Sequence, residues 1–394
     1  MLKVATERLY YHDSYLIEFE GQVVDVSADG RRVYLDRTAF YPTSGGQPND
    51  VGELGGRPVV EVVDEEDGRI AHVLAVGSLP VGAVSGKIDW HRRYEHMQQH
   101  TGQHLLSAVL MDLYGFQTLS FHMGDEVSTI ELGTKEISEK QLLAAEARAN
   151  ELARAGRAVR IAFEDAGQVE GLRKQSQRLG MLRIIEIEGL DKSACGGTHV
   201  RSLAETVPVQ IRKIEKVRGN VRLEFVCGER AVRRAKQDFK LLQELSRQTA
   251  TAMDKLPEQV AGLKDRLSEA EKERQRLAED LAQREGREAY AATAASGDGV
   301  RRALWRVERL SEMERAKALA YAAGSRAVVL VVGKQPMGVL IACSADCGID
   351  AGAILKQTLA EFGGRGGGSA TLAQGSLPDE ACALALAGKL GMVE

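Results

Sequence analysis

The sequence predicts an α+β multidomain fold with a small N-terminal β-barrel, an α/β domain carrying a metal site, a helical coiled-coil segment and a C-terminal α/β domain. Short apolar–polar alternations, separated by Gly, Pro and Asp, fill about the first 90 residues and are typical of barrel or sandwich strands. The apolar spacing then becomes helical. Much later, a run rich in Ala, Leu, Glu, Lys, Arg and Gln follows a heptad pattern.

The first half of the chain is predicted to hold the barrel at residues 1–90 and the metal-bearing domain at residues 91–228. Within the second region we expect a helix over 91–114, a strand at 127–132 and a helix within 135–157. Strands are expected at 157–165 and 181–189. Residues 207–228 predict two strands around a turn at Gly219–Asn220.

The segment 229–290 is predicted to be helical, with Pro257 tolerated only near a helix start. Its apolar or long-stemmed positions recur at intervals of four and three residues: Leu256, Val260, Leu263, Leu267, Ala270, Arg274, Leu277 and Leu281. This seam fits two arrangements, an antiparallel hairpin with residues 232–246 or a homodimer.

Residues 291–394 predict a compact α/β domain. Its expected strands are 301–310, 326–334 and 337–346, and its expected helices are 310–324, 351–364 and 378–390. The glycine-rich stretch 363–368 lacks the Lys-Ser/Thr ending of a phosphate-binding P-loop, so ATP is not expected.

Composition limits the classes of function. Five scattered cysteines and 44% apolar residues indicate a globular, cytoplasmic protein without a disulfide framework, and neither a signal peptide nor a membrane span is expected. The net charge of −4 gives no bulk signal for nucleic acid. Residues 212–236 nevertheless contain nine basic against three acidic side chains, which fits either a phosphate-facing strip or an ordinary solvated face.

Two closely spaced pairs of potential ligands predict the metal site. His100 and His104 lie one helical turn apart, and Cys195 and His199 flank two glycines and a threonine. Nitrogen and sulfur ligands are those that zinc prefers. His96 lies on the same helical face, but it is about 12 Å along the axis from His104, which is too far for the two to share one ion. His100 is therefore a ligand in either case, paired with His96 or with His104. HTGQH lacks the glutamate of a zinc protease motif, and another hydrolysis is implied.

Five stretches carry a family resemblance. TAFYPTSGGQPNDVG, HTGQHLL, ACGGTHV, RLEFVCGERA and GGRGGGSATLAQG occur in the order seen in the C-terminal half of alanyl-tRNA synthetases. The chain resembles a long-form, free-standing alanyl-tRNA editing protein with a DHH-associated C-terminal domain. The resemblance implies Zn²⁺ at His100, His104, Cys195 and His199, and hydrolysis of tRNA(Ala) mischarged with serine. Gly-tRNA(Ala) is a second candidate substrate.

The expected roles of other residues follow from the same motifs and from the need to recognise a serine hydroxyl. The apolar pocket in which a synthetase attaches alanine rejects an added hydroxyl only about 100-fold. A polar wall in a second, hydrolytic site must therefore select serine. We expect catalytic roles for Gln47, Thr118 and Ser120; substrate binding by Thr38, Ser44, Gly45 and Gly46; and tRNA binding by Arg212, Lys213, Arg365 and Gly366. Two alternatives stay open: editing of another mischarged tRNA, such as the threonine one, and a tRNA-binding scaffold with structural zinc.

Overall fold

The structure is a computed structural model that describes residues 5–175, 177 and 179–392. It divides into two compact units, Met1–Glu244 and Leu245–Glu394. The first residues of the predicted barrel, 1–4, and the last two of the predicted C-terminal domain lie outside the described residues. No helix in the described part of the chain has the length and apolar character that crossing a membrane requires. The predicted division into four domains stays a prediction.

The first unit begins with a closed six-stranded barrel, as the alternating pattern predicts. Along β2, Phe19 and Val23 point inward while Glu18 and Gln22 are exposed, which is the period of two expected of a half-buried strand. Strands β1 and β4 pair in parallel beside it. The strands are β1 (Glu7–Arg8), β2 (Glu18–Val26), β3 (Arg32–Leu35), β4 (Arg37–Thr38), β5 (Gly52–Leu54), β6 (Arg57–Asp64), β7 (Ile70–Leu74) and β8 (Gly82–Ile88).

A mixed α/β region follows the barrel. Helix α1 (Trp90–Tyr114) begins at Asp89, whose side chain accepts a hydrogen bond from the Arg92 amide, and ends at Gly115 with φ 69°. Its C-terminal half packs on sheets ordered β14-β15-β10-β9 and β11-β12-β13. The remaining elements are β9 (Thr118–Met123), β10 (Ser128–Leu132), α2 (Glu139–Arg154), β11 (Val159–Asp165), β12 (Met181–Ile187), β13 (Asp191–Ala194), β14 (Val209–Val217) and β15 (Asn220–Cys227).

The turn between β14 and β15 lies one residue earlier than predicted. Val217 pairs with Asn220, so the loop consists of Arg218 and Gly219, whose φ angles are 50° and 86°. Two successive positive φ angles are what the tight hairpin turn that matches strand twist requires. Asn220 belongs to the strand, and its side chain donates to Glu131 Oε1 at 2.8 Å.

A buried ion pair joins α1 to the barrel side of this unit. Arg93 and Asp50 are both fully buried, and Arg93 Nη2 lies 2.5 Å from Asp50 Oδ2. The same guanidinium donates to the carbonyl oxygens of Ser14 at 2.8 Å and Ala39 at 2.6 Å. Because Asp50, Ser14 and Ala39, the acceptors of the guanidinium, all lie outside α1, this side chain fixes the helix against the preceding chain.

The connecting helices are α3 (Gly228–Thr249) and α4 (Leu256–Ala292), with Pro257 in the first turn of α4 as predicted. The predicted helical segment is thus two helices. Seam residues of α4 are open to solvent: the exposed fractions are 44% for Leu263, 61% for Leu267 and 54% for Leu277. The coiled coil, whether a hairpin or a dimer, therefore stays a prediction.

The second unit contains a five-stranded sheet ordered β16-β17-β18-β20-β19. The three predicted strands and three predicted helices are present, and two strands were missed because glycine disfavours strand assignment. Those two strands pair through residues 365–368 and 373–376. The elements are β16 (Arg301–Val307), α5 (Glu312–Ala322), β17 (Ala327–Lys334), β18 (Met337–Cys343), α6 (Ala351–Phe362), β19 (Arg365–Gly368), β20 (Leu372–Ser376) and α7 (Glu380–Lys389).

The buried ion pair yields a stability prediction. Replacing Arg93→Met leaves the Asp50 carboxylate buried without its charge partner, and we expect the free energy of unfolding to fall by about 3–5 kcal/mol. Chemical denaturation measures the loss. The control is Arg32→Met, which removes a partly exposed pair with Glu65 and is expected to cost at most about 1 kcal/mol. Equal losses in the two variants would contradict the role assigned to Arg93.

Candidate metal centre and its cavity

Four side chains from two elements converge in the first unit. Helix α1 supplies His100 and His104, and the turn after β13 supplies Cys195 and His199. Their ligand atoms all lie within 4.8 Å of one another. Cys195 Sγ is 3.5 Å from His100 Nε2 and 3.4 Å from His199 Nε2. A tetrahedral Zn²⁺ ion with ordinary bond lengths would separate sulfur from nitrogen by about 3.5 Å, so the cluster can hold such an ion.

The three imidazoles are oriented by hydrogen bonds on their far nitrogens. His100 Nδ1 lies 2.7 Å from Gln47 Oε1, His199 Nδ1 lies 3.1 Å from Thr101 Oγ1, and His104 Nδ1 lies 3.3 Å from Asp191 Oδ2. Each contact leaves Nε2 directed at the cluster. Such outer partners fix the tautomer and the ring orientation of metal-binding histidines.

Burial and neighbouring groups shift the pKa values at the cluster. Burial would lower the pKa of His104, but its hydrogen bond to Asp191 raises that pKa to about 9. Burial would raise the pKa of the Cys195 thiol, but the neighbouring His100 and His199 hold that pKa well below its ordinary value, which favours the thiolate. Burial and the charge of His100 lower the pKa of His199 well below its usual range, which favours the neutral imidazole. Asp191 has a pKa of about 2 because hydrogen bonds from His104 and Arg173 outweigh its burial.

His96 is not part of the cluster. It is buried, its Nδ1 has no hydrogen-bond partner among the described residues, and burial lowers its pKa to about 4. His100 therefore pairs with His104, the register that the resemblance implies. His96 behaves as a core histidine instead.

Two glycines near the cluster are required by close packing. A Cβ atom on Gly197 would lie 2.1 Å from His100 Cε1, and one on Gly102 would lie 2.2 Å from Cys227 Sγ. Any side chain at Gly197 would thus displace a ligand. Gly102 lets α1 approach β15, which accounts for the glycine in HTGQH.

The turn that carries Cys195 is held by a residue that sequence reasoning missed. Arg183 Nη1 donates to the carbonyl oxygens of Cys195 at 2.7 Å and Gly197 at 2.9 Å, and its Nε donates to the Tyr11 carbonyl at 2.8 Å. Asp191 was missed too, since an aspartate 87 residues after the histidine that it contacts belongs to no motif. Thr101 lies inside HTGQH, where a hydroxyl next to a ligand was the available signal.

A cavity of about 710 Å³ opens beside the cluster. His100, His104 and Cys195 lie in its wall. Other described residues that line it come from the N-terminal segment, α1, β9 and the β12–β13 region: Tyr11, Tyr41, Ser44, Gly45, Gln103, Thr118, Leu119, Ser120, Phe121, Arg173, Met181, Arg183 and Gly196. The four-residue cluster is therefore accessible to a molecule bound in this cavity.

The residues predicted from the SGGQ region divide into three positions. Ser44 and Gly45 line the cavity. Gly46 packs against β9, since a Cβ there would lie 2.5 Å from the Phe121 carbonyl oxygen. Thr38 is fully buried and contacts His72 Nε2 at 2.7 Å; this bond in the barrel keeps Thr38 out of the cavity wall.

Gln47 lies behind the cluster. Its Oε1 contacts His100 Nδ1 and accepts a bond from the Thr198 amide at 3.2 Å, while its Nε2 donates to Thr198 Oγ1 at 2.8 Å. These hydrogen bonds hold the histidine and the CGGTH turn. The structure thus shows Gln47 holding His100 and the turn, and its predicted catalytic role stays a prediction.

Thr118 and Ser120 both line the cavity. Thr118 is mostly buried and donates to Ser107 Oγ at 2.7 Å. Ser120 is exposed and lies 3.5 Å from Glu131 Oε2. Their hydroxyl groups therefore differ in solvent access, and the donor hydrogen of Thr118 is already engaged.

The predicted tRNA-binding residues have different surroundings. Arg212 forms an ion pair with Asp238, and Lys213 forms one with Glu215, both at 2.5 Å. Arg365 is exposed on the edge strand β19, and no described carboxylate lies within ion-pair distance of it. Gly366 approaches β20 closely: a Cβ there would lie 2.5 Å from the Gln374 carbonyl oxygen. Strand pairing thus accounts for this glycine.

The basic strip at residues 212–236 is less positive than its composition suggests. Six of its nine cationic side chains have a carboxylate within 4.0 Å, and three of these carboxylates, Glu95, Glu131 and Asp238, lie outside the strip in sequence. A local charge count cannot register partners supplied by distant segments.

Residues 182–224 match the family model described as the threonyl and alanyl tRNA synthetase second additional domain. This match relates that part of the first unit to threonyl and alanyl tRNA synthetases. The chain is 32% identical to the alanyl-tRNA editing protein AlaX-L of Pyrococcus horikoshii, covering 96% of this chain and 97% of that protein. The chain therefore belongs to the family of AlaX-like alanyl-tRNA editing proteins, which confirms the resemblance inferred from its motifs.

Other relatives share parts of this organisation. The alanyl-tRNA editing protein Aarsd1-A of Xenopus laevis is 36% identical over 66% of each chain. The alanine–tRNA ligase of Korarchaeum cryptofilum is 32% identical over 95% of this chain, which spans 44% of the ligase. The chain thus corresponds to less than half of that relative's length.

The packing of Gly197 gives a test of the metal centre. Gly197→Ala should lower Zn²⁺ affinity at least about 10–100-fold, the range found when the support of a ligand is lost, because the new methyl group displaces His100. Metal content and competition with a chelator measure the effect. Gly262→Ala is the control, since a Cβ at Gly262 meets open space. Unchanged affinity in Gly197→Ala would disprove the role of His100 as a ligand.

Proposed function

We propose that this protein hydrolyses the ester of Ser-tRNA(Ala), with Gly-tRNA(Ala) as a second candidate substrate, and that it does so with bound zinc. The observation that supports this most directly is the set of four convergent candidate ligands, three of which line a cavity of about 710 Å³. The names of the relatives support alanyl-tRNA as the substrate class. The free cysteines fit a reducing compartment, and the cytoplasm is the proposed location.

The proposed reaction is the hydrolysis of an ester bond. Water adds to the carbonyl carbon, the bond from that carbon to the ribose oxygen breaks, and the ribose oxygen takes a proton. The products are serine and uncharged tRNA. When bound, zinc would supply a Lewis acid and a point of attachment for the substrate next to the ester.

The side chains around the cavity are suited to binding and orienting the substrate, and few of them are suited to proton transfer. Among the described residues that line the cavity, Asp64 is the one carboxylate, and Arg8 holds both of its oxygens at 2.7 and 2.8 Å. The lining imidazoles are those of the cluster itself. Gln47 and Arg183 hold the cluster in place, and the half-buried ring of Tyr11 offers an aromatic wall for the terminal adenosine.

Selectivity for serine requires a polar cavity. A site that hydrogen-bonds a substrate hydroxyl rejects the analogue without it far more strongly than an apolar pocket rejects an added hydroxyl. The cavity wall supplies such polar groups at Gln103, Thr118 and Ser120. Ser120 is exposed, so water can replace the substrate there, and we expect the buried groups to contribute more.

A deacylation assay with three substrates tests the proposal. Wild-type protein should hydrolyse Ser-tRNA(Ala) faster than Ala-tRNA(Ala) and Ser-tRNA(Thr). Cys195→Ala should lose zinc and activity together because it removes the thiolate ligand. Absence of turnover in zinc-replete wild-type protein would favour the alternative of a tRNA-binding scaffold. Faster hydrolysis of Ser-tRNA(Thr) would instead indicate an editing protein for threonine tRNA.

We further propose that Arg365 contributes to tRNA binding, while Arg212 and Lys213 contribute less because each is already paired with a carboxylate. Arg365→Glu should weaken tRNA binding and reduce the slope of log affinity against log salt concentration by about one. Filter binding over a salt series measures both quantities. The control is Arg276→Glu on α4, where the native arginine is paired with Glu273 and Asp280. An unchanged slope in Arg365→Glu would exclude a phosphate contact.

A further inference from the structure

One polar side chain in the cavity wall has an unused hydrogen-bond acceptor next to the metal cluster. Gln103 lies on α1 between His100 and His104, is 6% exposed and lines the cavity. Its Nε2 donates to Ser107 Oγ at 2.8 Å. No described residue donates a hydrogen bond to its Oε1, and this oxygen is not enclosed by protein atoms. Oε1 therefore faces the cavity.

The orientation of this amide is fixed by a short hydrogen-bond network. Ser107 Oγ receives bonds from both Gln103 Nε2 and Thr118 Oγ1, at 2.8 and 2.7 Å. All three side chains are mostly buried. Because the network holds the amide nitrogen, the amide oxygen is preorganised toward the ligand and loses little conformational entropy when a donor arrives.

We propose that Gln103 determines specificity by accepting a hydrogen bond from the hydroxyl group of a seryl side chain. This role rests on the proposed function, in which Gln103 distinguishes the seryl ester from the alanyl ester. An acceptor without an internal donor is satisfied by a hydroxyl, whereas the methyl group of alanine leaves it unpaired in a confined space. Thr118 acts indirectly, because its own donor hydrogen is used in holding Ser107.

The alternative is that Gln103 only stabilises α1 through Ser107. A structural role of that kind would change the hydrolysis of every ester alike. Selection of the hydroxyl changes one ratio: kcat/KM for Ser-tRNA(Ala) divided by kcat/KM for Ala-tRNA(Ala). This ratio distinguishes the two roles, provided that enough enzyme is used to follow the slow alanyl ester.

The test uses the zinc-loaded, full-length protein. Gln103→Leu removes the acceptor at similar volume and should lower the serine-to-alanine ratio about 10–100-fold, mainly through slower hydrolysis of the seryl ester. Ser107→Ala leaves the acceptor but releases the amide, so a smaller fall is expected. Metal content and circular dichroism establish that each variant is folded and loaded.

Gln98→Leu is the matched control. Gln98 is also a buried glutamine of α1, but its Nε2 donates to the Glu205 carbonyl at 2.7 Å and it does not line the cavity. Its loss should leave the ratio unchanged. An unchanged ratio in Gln103→Leu, with both rates lowered equally, would overturn the proposal. Wild-type protein that hydrolyses neither ester would instead overturn the proposed function, and this inference with it.

Discussion

The hydrogen bond between Gln47 and His100 is the contact on which the arrangement of the metal centre depends most. Gln47 comes from the N-terminal part of the first unit, and His100 comes from α1. By occupying Nδ1, the amide oxygen directs Nε2 at the thiolate of Cys195. The same oxygen accepts the Thr198 amide, so one side chain aligns a ligand and the turn that carries two others. The barrel is thus part of the site.

Close packing leaves little tolerance around this contact. His100 passes so near the backbone of residue 197 that only glycine fits there. Arg183 ties two carbonyls of the same turn to the Tyr11 carbonyl, and the Arg93–Asp50 pair keeps α1 in place. A tetrahedral site tolerates small errors in ligand position poorly, so this rigidity is itself a functional property.

The cavity places groups of different character around one point. The cluster provides imidazole and thiol groups, the β9 side provides Thr118 and Phe121, and α1 adds the amide of Gln103. Bulk charge contributes little, since most cations of the 212–236 strip are paired. In the proposed function, recognition of the aminoacyl ester depends on directed hydrogen bonds inside the cavity, and tRNA binding depends on contacts elsewhere.

The sequence by itself determined the barrel, α1, the mixed α/β character and the four cluster residues. These features depend on local periodicity and on ligand pairs that are close in the chain. Tertiary structure decided which groups Gln47, Thr38 and Gly46 contact, because their partners His100, His72 and Phe121 are distant in sequence. It also revealed Asp191 and Arg183, which belong to no motif. A local pattern specifies which face a residue occupies, but hydrogen-bond partners and charge neutralisation depend on segments that only folding brings together.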